Sequence, residues 1–268
     1  MEVAFVSNRR REEHSEPDRA YGNELGPLSY GRCVVDIHAR SGRGELLGVR
    51  DVDPAATLAG LEPVRGAGLV VYIHGYYEDF ERSCRRAAVF KNRLGPDLGF
   101  LLFSWPANST PFTYGADVAD LEASTPHFIE LLRDLSRSHD PGTISVIAHS
   151  LGTRGLVEAL RKAPTPAVPL RDLVLIASDM DREKFLEVLP LLRKQVSHIS
   201  LFVSARDLPL RLSEVVNGGA RLGQGGMGPI DNVRIIDVTD YDSTHLSGHV
   251  YHLRNDDVLT QLRGLLKH

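Results

Sequence analysis

The sequence predicts an α/β fold, a mostly parallel central sheet with helices on both faces. Short unbroken apolar runs rich in Val, Ile and Leu recur along the chain, and stretches with helical spacing separate them. Strands read as continuous apolar runs when crossover helices cover both faces of their sheet. The second observation is size. With 268 residues, 42% of them hydrophobic, and no long linker or internal repeat, the chain can bury one full core. A single domain over residues 1–268 is expected.

The elements follow in order. "VAFVSN" (3–8) and "GRCVVDIHA" (31–39) read as opening strands joined by a polar loop, and "GLVVYIHG" (68–75) as a buried strand. "EDFERSCRRAAVFKNRLG" (78–95) has helical spacing, with Glu78 and Asp79 favourable near its N-terminus and Gly95 near its stop. "GFLLFSWP" is the next strand, closed by Pro106, and residues 116–136 read as one helix. "TISVIAHS" and "LGTRGLVEALRKA" form a strand and helix, as do "DLVLIASDMD" and "REKFLEVLPLLRKQ", the latter interrupted or bent at Pro190. "HISLFVSARD" and "NVRIIDVTD" are the last strands, and "NDDVLTQLRGLLKH" is the closing helix.

Bulk charge narrows the partners. Charged residues make up 25% of the chain and the net charge is -4, which gives no reason to invoke nucleic acid or an anionic membrane. Arg9-Arg10-Arg11 is largely cancelled by Glu12 and Glu13 and reads as a solvated turn. No apolar run approaches a membrane span, and the N-terminal residues lack the apolar core of a signal peptide, so a cytoplasmic protein is expected. The two cysteines, Cys33 and Cys84, are too few for a disulfide framework and read as separate packed thiols.

In an open parallel sheet, chemistry gathers at the carboxyl ends of the strands. The polar residues there include His74, Ser150, Asp179, Asp181 and Asp207, ahead of the histidine-rich segment "STHLSGHVYH". "IAHSLG" places Ser150 between a strand and a helix, in a turn that approaches the nucleophile elbow G-x-S-x-G, with Ala148 where the first glycine would stand. The elbow wants small neighbours because the chain turns sharply and the helix packs close behind. A serine hydroxyl needs a histidine to accept its proton and an acid to hold that histidine in the right tautomer. Ser150, Asp207 and His249 follow in the order Ser, acid, His. Asp179 or Asp181 could instead be the acid, or could cap the helix that begins near Arg182. His245 and His252 compete with His249, and the three histidines with Asp240 and Asp242 could alternatively suggest a metal site, although no second cluster supports it.

"VVYIHGYYEDF" ends a strand on His74-Gly75, where a loop can aim backbone N–H groups inward. The amides of Tyr76 and Leu151 are the expected oxyanion donors. His74 is expected to shape that loop, and His149 to be structural. Tyr76, Tyr77 and Trp105 are candidate substrate-binding walls, and residues 104–127 a candidate pocket-covering segment. "GQGGMG" (223–228) fits G-x-G-x-x-G but runs from no strand into a helix, so it reads as a flexible loop rather than a dinucleotide site. Asn108-Ser109-Thr110 is only formally a glycosylation sequon.

The chain resembles a bacterial α/β-hydrolase family long catalogued as a domain of unknown function and described as esterase- or lipase-like. "SNRR", "GNELGPLSYGRCVVDIH", "VYIHGYYEDFERSCRRAA", "LFSWP", "IAHSLGTRGLVEAL", "LIASDMD", "LFVSARDLPLRLS", "RLG" and "SGHVYH" carry the likeness over nearly the whole chain. The resemblance implies the α/β-hydrolase fold, with Ser150 as nucleophile in an A/G-H-S-M/L-G elbow, Asp207 as acid and His249 as base. It further implies hydrolysis of a small-molecule carboxylic ester through an acyl-serine, with no cofactor. A lipase, thioesterase, amidase or acyltransferase would use the same residues. A hydrolase-fold binding module without turnover is the rival from another class.

Overall fold

A computed structural model describes residues 1–38, 43–61, 68–95, 98–110, 112–140, 142–163, 170–241 and 248–266. Among them nine strands form one sheet. They are β1 (Glu2–Arg11), β2 (Tyr21–His38), β3 (Arg43–Asp51), β4 (Leu69–Ile73), β5 (Gly99–Ser104), β6 (Ile144–His149), β7 (Leu170–Ile176), β8 (Val196–Val203) and β9 (Val233–Asp237), in the order β3-β2-β1-β5-β4-β6-β7-β8-β9. β2 pairs antiparallel with both its neighbours, and the other pairings are parallel. The expected mostly parallel sheet is therefore present, extended by an antiparallel edge that the sequence showed only in part.

Side chains alternate across a strand, so a fully apolar strand feeds two cores. In β4, Leu69, Val71 and Ile73 enter one core while Val70 and Tyr72 enter the other. The first core is covered by α4 (Thr125–Ser138), α5 (Gly152–Lys162) and α6 (Arg182–Leu192), through Phe128, Leu156, Leu160 and Phe185 among others. The second is covered by α2 (Phe80–Leu94) and α8 (Asp256–Leu266), through Phe80, Phe90, Val258 and Leu262. Asp79 caps α2 by accepting from the Arg82 amide at 2.8 Å, and Gly95 ends it at φ 120.

Several elements differ from the sequence reading. The polar link after residue 8 is largely strand, because β1 and β2 pair across Tyr21 to Ser29 with register shifts that absorb the breakers Gly26 and Pro27. The helix expected over 116–136 is two, α3 (Tyr114–Ala123) and α4, which meet at Ser124 ahead of Pro126. α6 runs through Pro190 and ends two residues later at Leu192, the proline having no N–H to give the Leu186 carbonyl. α1 (Pro54–Ala59) and α7 (Leu208–Asn217) have no counterpart in the reading. The glycine-rich segment begins pinned rather than flexible: Gly223 donates to Ser178 O at 2.9 Å and accepts from the Ser204 amide at 3.0 Å.

Arg9 is the largest correction. It lies in β1, not in a solvated turn, and is fully buried. Its guanidinium donates to Ser104 Oγ (3.0 Å), Asn23 Oδ1 (2.8 Å), Ala107 O (3.0 Å) and Glu78 O (2.6 Å). Burial pushes its pKa down to about 10, against the pull of Asp79 and other nearby acids. Glu78 is buried beside it, pushed up by desolvation and held by Arg86 at 2.6 Å. Arg9→Met should leave four acceptors without their donor and cost about 3–5 kcal/mol, read as a lower urea midpoint. An unchanged midpoint would show that the chain does not depend on this cation.

Candidate active site

Ser150 sits between β6 and α5 with φ 52, in the left-handed region that a serine rarely enters. Its backbone is held on both sides. The Ser150 amide donates to Ile176 O at 2.9 Å, and Ser150 O accepts from Asp179 N (3.2 Å) and Thr153 Oγ1 (2.6 Å). The positive φ falls on Ser150 itself and not on Ala148, which is a buried strand residue paired with Ile73 and Leu175. The alanine methyl therefore fits where the elbow pattern has its first glycine.

Gly152 and Gly75 are required by close approach. A Cβ on Gly152 would strike the His74 carbonyl oxygen, and one on Gly75 would stand 2.8 Å from Ser150 Cβ. The His74-Gly75-Tyr76 loop thus lies directly against the elbow. Gly152→Ala should cost about 1–3 kcal/mol through this overlap. Thermal unfolding of the variant checks it, and a variant as stable as the parent chain would refute the contact.

The structure brings Ser150, His249 and Asp207 into one hydrogen-bonded row. His249 Nε2 lies 2.8 Å from Ser150 Oγ, and His249 Nδ1 lies 2.8 Å from Asp207 Oδ2 and 3.0 Å from Oδ1. Asp207 is fully buried and also caps α7, accepting from the Leu210 amide at 3.0 Å. Burial pushes the His249 pKa down, but the charge and hydrogen bond of Asp207, helped by the more distant Asp179, hold it above the ordinary histidine value. A carboxylate on Nδ1 fixes that proton in place and leaves Nε2 to face the serine.

The rival acids do other work. Asp181 caps α6 through the Lys184 amide at 3.1 Å and pairs with Arg221 at 3.2 Å. Asp179 binds Tyr114 Oη at 2.7 Å, the Ser213 hydroxyl and the Arg154 guanidinium. Of the residues grouped in the metal alternative, His252 is turned into the core, 3.3 Å from the Tyr72 hydroxyl, while His245 and Asp242 lie outside the described residues.

Neither the Tyr76 nor the Leu151 N–H has an acceptor among the described residues. The loop that carries Tyr76 is braced from below. His74 Nδ1 lies 2.8 Å from Gly75 O, and Trp105 Nε1 donates to His74 O at 2.9 Å with the two rings stacked 5.2 Å apart.

A family model described as alpha/beta hydrolase of unknown function (DUF900) matches residues 59–265. The chain belongs to that family. No curated protein matches it. Among solved structures it is similar to a predicted CIB-like hydrolase from Thermoplasma acidophilum, at 13% identity over 88% of this chain and 99% of that one, with a TM-score of 0.44. It is also similar to an esterase from Pyrobaculum calidifontis (12% identity, 100% and 85% of the two chains, TM-score 0.44). A third is MenH from S. aureus (11% identity, 76% and 95%, TM-score 0.45).

Within this alpha/beta hydrolase, Trp105 is not a pocket wall. It is fully buried, because the indole N–H finds its acceptor under the His74 loop. Residues 104–107 are likewise core and cannot cover a pocket. Tyr76 and Tyr77 are half-buried; Tyr76 lies between the rings of Tyr77 and Tyr114, and Tyr77 lies under the Arg82 guanidinium at 4.3 Å. His149 donates from Nε2 to His249 O at 3.0 Å, which supports the backbone of the histidine loop.

The sequence reading passed over Tyr114, Arg154 and Ser213. Arg154 of α5 donates to Asp179 O (2.5 Å) and to Tyr114 Oη of α3 (2.8 Å), and Ser213 Oγ of α7 lies 3.2 Å from Tyr114 Oη, so three helices converge beside the elbow. Only their spatial convergence marks them. A cleft of about 670 Å³ between α3, α5 and α6 opens beyond Arg154, lined also by Val118, Met180, Lys184 and Asn217; Ser150 and His249 do not line it.

Proposed function

We propose that the chain is a serine carboxylesterase that cleaves carboxylic esters through an acyl-serine intermediate. The observation that carries this reading is the unbroken row of Ser150 Oγ, His249 and Asp207 with 2.8 Å at both links. Ser150 Oγ attacks the ester carbonyl while His249 Nε2 takes its proton. The carbonyl oxygen becomes an oxyanion, which the amides of Tyr76 and Leu151 stabilise. Collapse breaks the bond to the alcohol, and the alcohol leaves with the proton from His249. Water then repeats the sequence on the acyl-serine, releasing the acid and restoring Ser150. The strained φ of Ser150 holds its hydroxyl toward His249 in advance, so little reorganisation precedes attack.

Labelling by a fluorophosphonate tests the reading, because only an activated serine displaces its fluoride rapidly. The parent chain should label, and Ser150→Ala and His249→Ala should not. A folded parent chain that stays unlabelled would refute the proposal and move the binding module to first place.

The same row predicts a pH dependence. His249 must be neutral to accept the proton, and its pKa is raised, so kcat/KM should fall toward acid through a midpoint above the ordinary value near 6.5. A pH–rate profile on a soluble aryl ester gives that midpoint directly. A midpoint below 6.5 would contradict the dominance of Asp207 over burial.

A further inference from the structure

α7 turns its apolar side the wrong way for a helix in water. Leu210 and Ser213 are buried, whereas Leu208, Leu212, Val215 and Val216 are 52%, 65%, 82% and 66% exposed. Their spacing of four, three and one residues places them on a single helical face. Phe112, 95% exposed, stands two residues before Tyr114. Four such side chains exposed on one helical face mark an interaction surface rather than ordinary solvent-facing helix.

The position of this face relates it to the site. Asp207, the partner of His249, is the N-cap of α7. Asn217 Nδ2 donates to Tyr114 Oη at 3.1 Å, and the Ser213 and Tyr114 hydroxyls lie 3.2 Å apart, so the helix is fastened to the start of α3. The Tyr114 ring meets Tyr76 edge-on at 5.5 Å, and the Tyr76 amide belongs to the loop against Ser150. The apolar face and Phe112 therefore flank the elements that hold the serine, the acid and the oxyanion loop.

The net charge of -4 gives no reason to invoke an anionic membrane, but the local charges beside this face differ from the average and select its occupant. Arg206 and Arg211 are exposed next to the apolar row, while Glu214 is half-buried and accepts from Gln224 Nε2 at 2.7 Å. An apolar helical face edged by arginines is the composition that lies in the plane of an anionic lipid surface. A second copy of the chain would set these arginines against one another if the same faces met. No helix among the described residues is long and apolar enough to cross a membrane.

We infer that α7 and Phe112 dock the protein on anionic lipid surfaces, and that the substrate is an ester with a long acyl chain drawn from such a surface. The second half rests on the esterase reading, and the first does not. The test therefore measures binding and hydrolysis separately. Vesicles of phosphatidylcholine, with and without phosphatidylglycerol, are sedimented with the full chain. Binding should require phosphatidylglycerol, and Leu212→Glu with Val216→Glu should weaken it about tenfold or more for each lost apolar contact. Phe112→Ser should weaken it independently, and Arg206→Gln with Arg211→Gln should remove the preference for anionic lipid.

All these variants should keep the parent rate on a short soluble aryl ester, which also shows that they fold. The parent chain alone should turn over a long-chain ester embedded in the anionic vesicles faster than the same ester in neutral ones. Absent sedimentation, or sedimentation that Leu212→Glu with Val216→Glu leaves intact, would overturn the docking. A concentration-dependent dimer that this double variant dissolves would assign the face to a second copy and overturn it likewise. Vesicle binding without hydrolysis of any ester would instead sink the esterase reading and the substrate assignment, leaving the docking in place.

Discussion

Asp207→Asn should slow the hydrolysis of an aryl ester about 10⁴-fold, whereas Asp179→Asn should slow it no more than about tenfold. The substituted side chain would still cap α7, because its amide oxygen can accept from the Leu210 amide as Asp207 Oδ1 does. The fold should survive. What changes is the partner of His249 Nδ1, which in the parent chain lies 2.8 Å from Asp207 Oδ2. An amide nitrogen there would favour the tautomer with its proton on Nε2, and that imidazole cannot accept from Ser150. Asp179 makes no contact with His249; its oxygens meet Tyr114, Ser213 and Arg154. Its loss should appear as stability instead, about 1–2 kcal/mol, because the half-buried Arg154 guanidinium is left short of its counter-charge. Steady-state kinetics and urea midpoints on the two variants check both halves. The opposite pattern, activity lost with Asp179 and kept without Asp207, would reassign the acid.

Acid should unfold this chain early. His74, His149 and His252 are buried, and in each desolvation pushes the pKa well below 6.5, so all three are neutral in the fold. A lowered histidine pKa works against the folded state below the unfolded value. There the unfolded chain binds protons that the native chain refuses, so stability is lost as pH falls below about 6.5. Each histidine that stays neutral in the fold costs up to about 1.4 kcal/mol per pH unit once its unfolded form is charged. His249 works in the opposite sense: its raised pKa adds stability below 6.5 that is lost as pH rises through its folded value. Glu78, also raised, returns some stability as pH falls through its folded pKa. Three buried histidines against these two offsets leave a net loss of stability toward acid. Urea midpoints should drop steeply between pH 7 and pH 5, and His252→Phe should flatten about a third of the slope. A midpoint independent of pH over that range would show that these rings are charged in the fold.

The apolar runs of β4 to β8 were legible because burial on both faces leaves no polar interruption, and helical spacing gave α2, α5 and α8. The antiparallel edge was half hidden. The first half of β2 carries Gly22, Asn23, Gly26 and Pro27, residues that punctuate turns locally but here sit in a register broken by bulges. The first, second and third members of the row at the site were legible for different reasons. Ser150 was marked by small neighbours at a strand-to-helix turn, Asp207 by its place after an apolar strand, and His249 by a glycine in a histidine-rich tail.

By itself the sequence determined the α/β class and the chain order of Ser150, Asp207 and His249, because periodicity and spacing are properties of the chain alone. Tertiary structure decided which of three aspartates meets His249, since Asp179, Asp181 and Asp207 all follow strands and differ only in what surrounds them. It also moved Arg9 from surface to core and Trp105 from pocket wall to brace, and turned the apolar face of α7 outward. Burial of an arginine or an indole depends on whether distant segments supply acceptors. Ser104, Asn23 and Ala107 do so for Arg9, and His74 for Trp105. Such partners lie far apart along the chain, and no local pattern announces them.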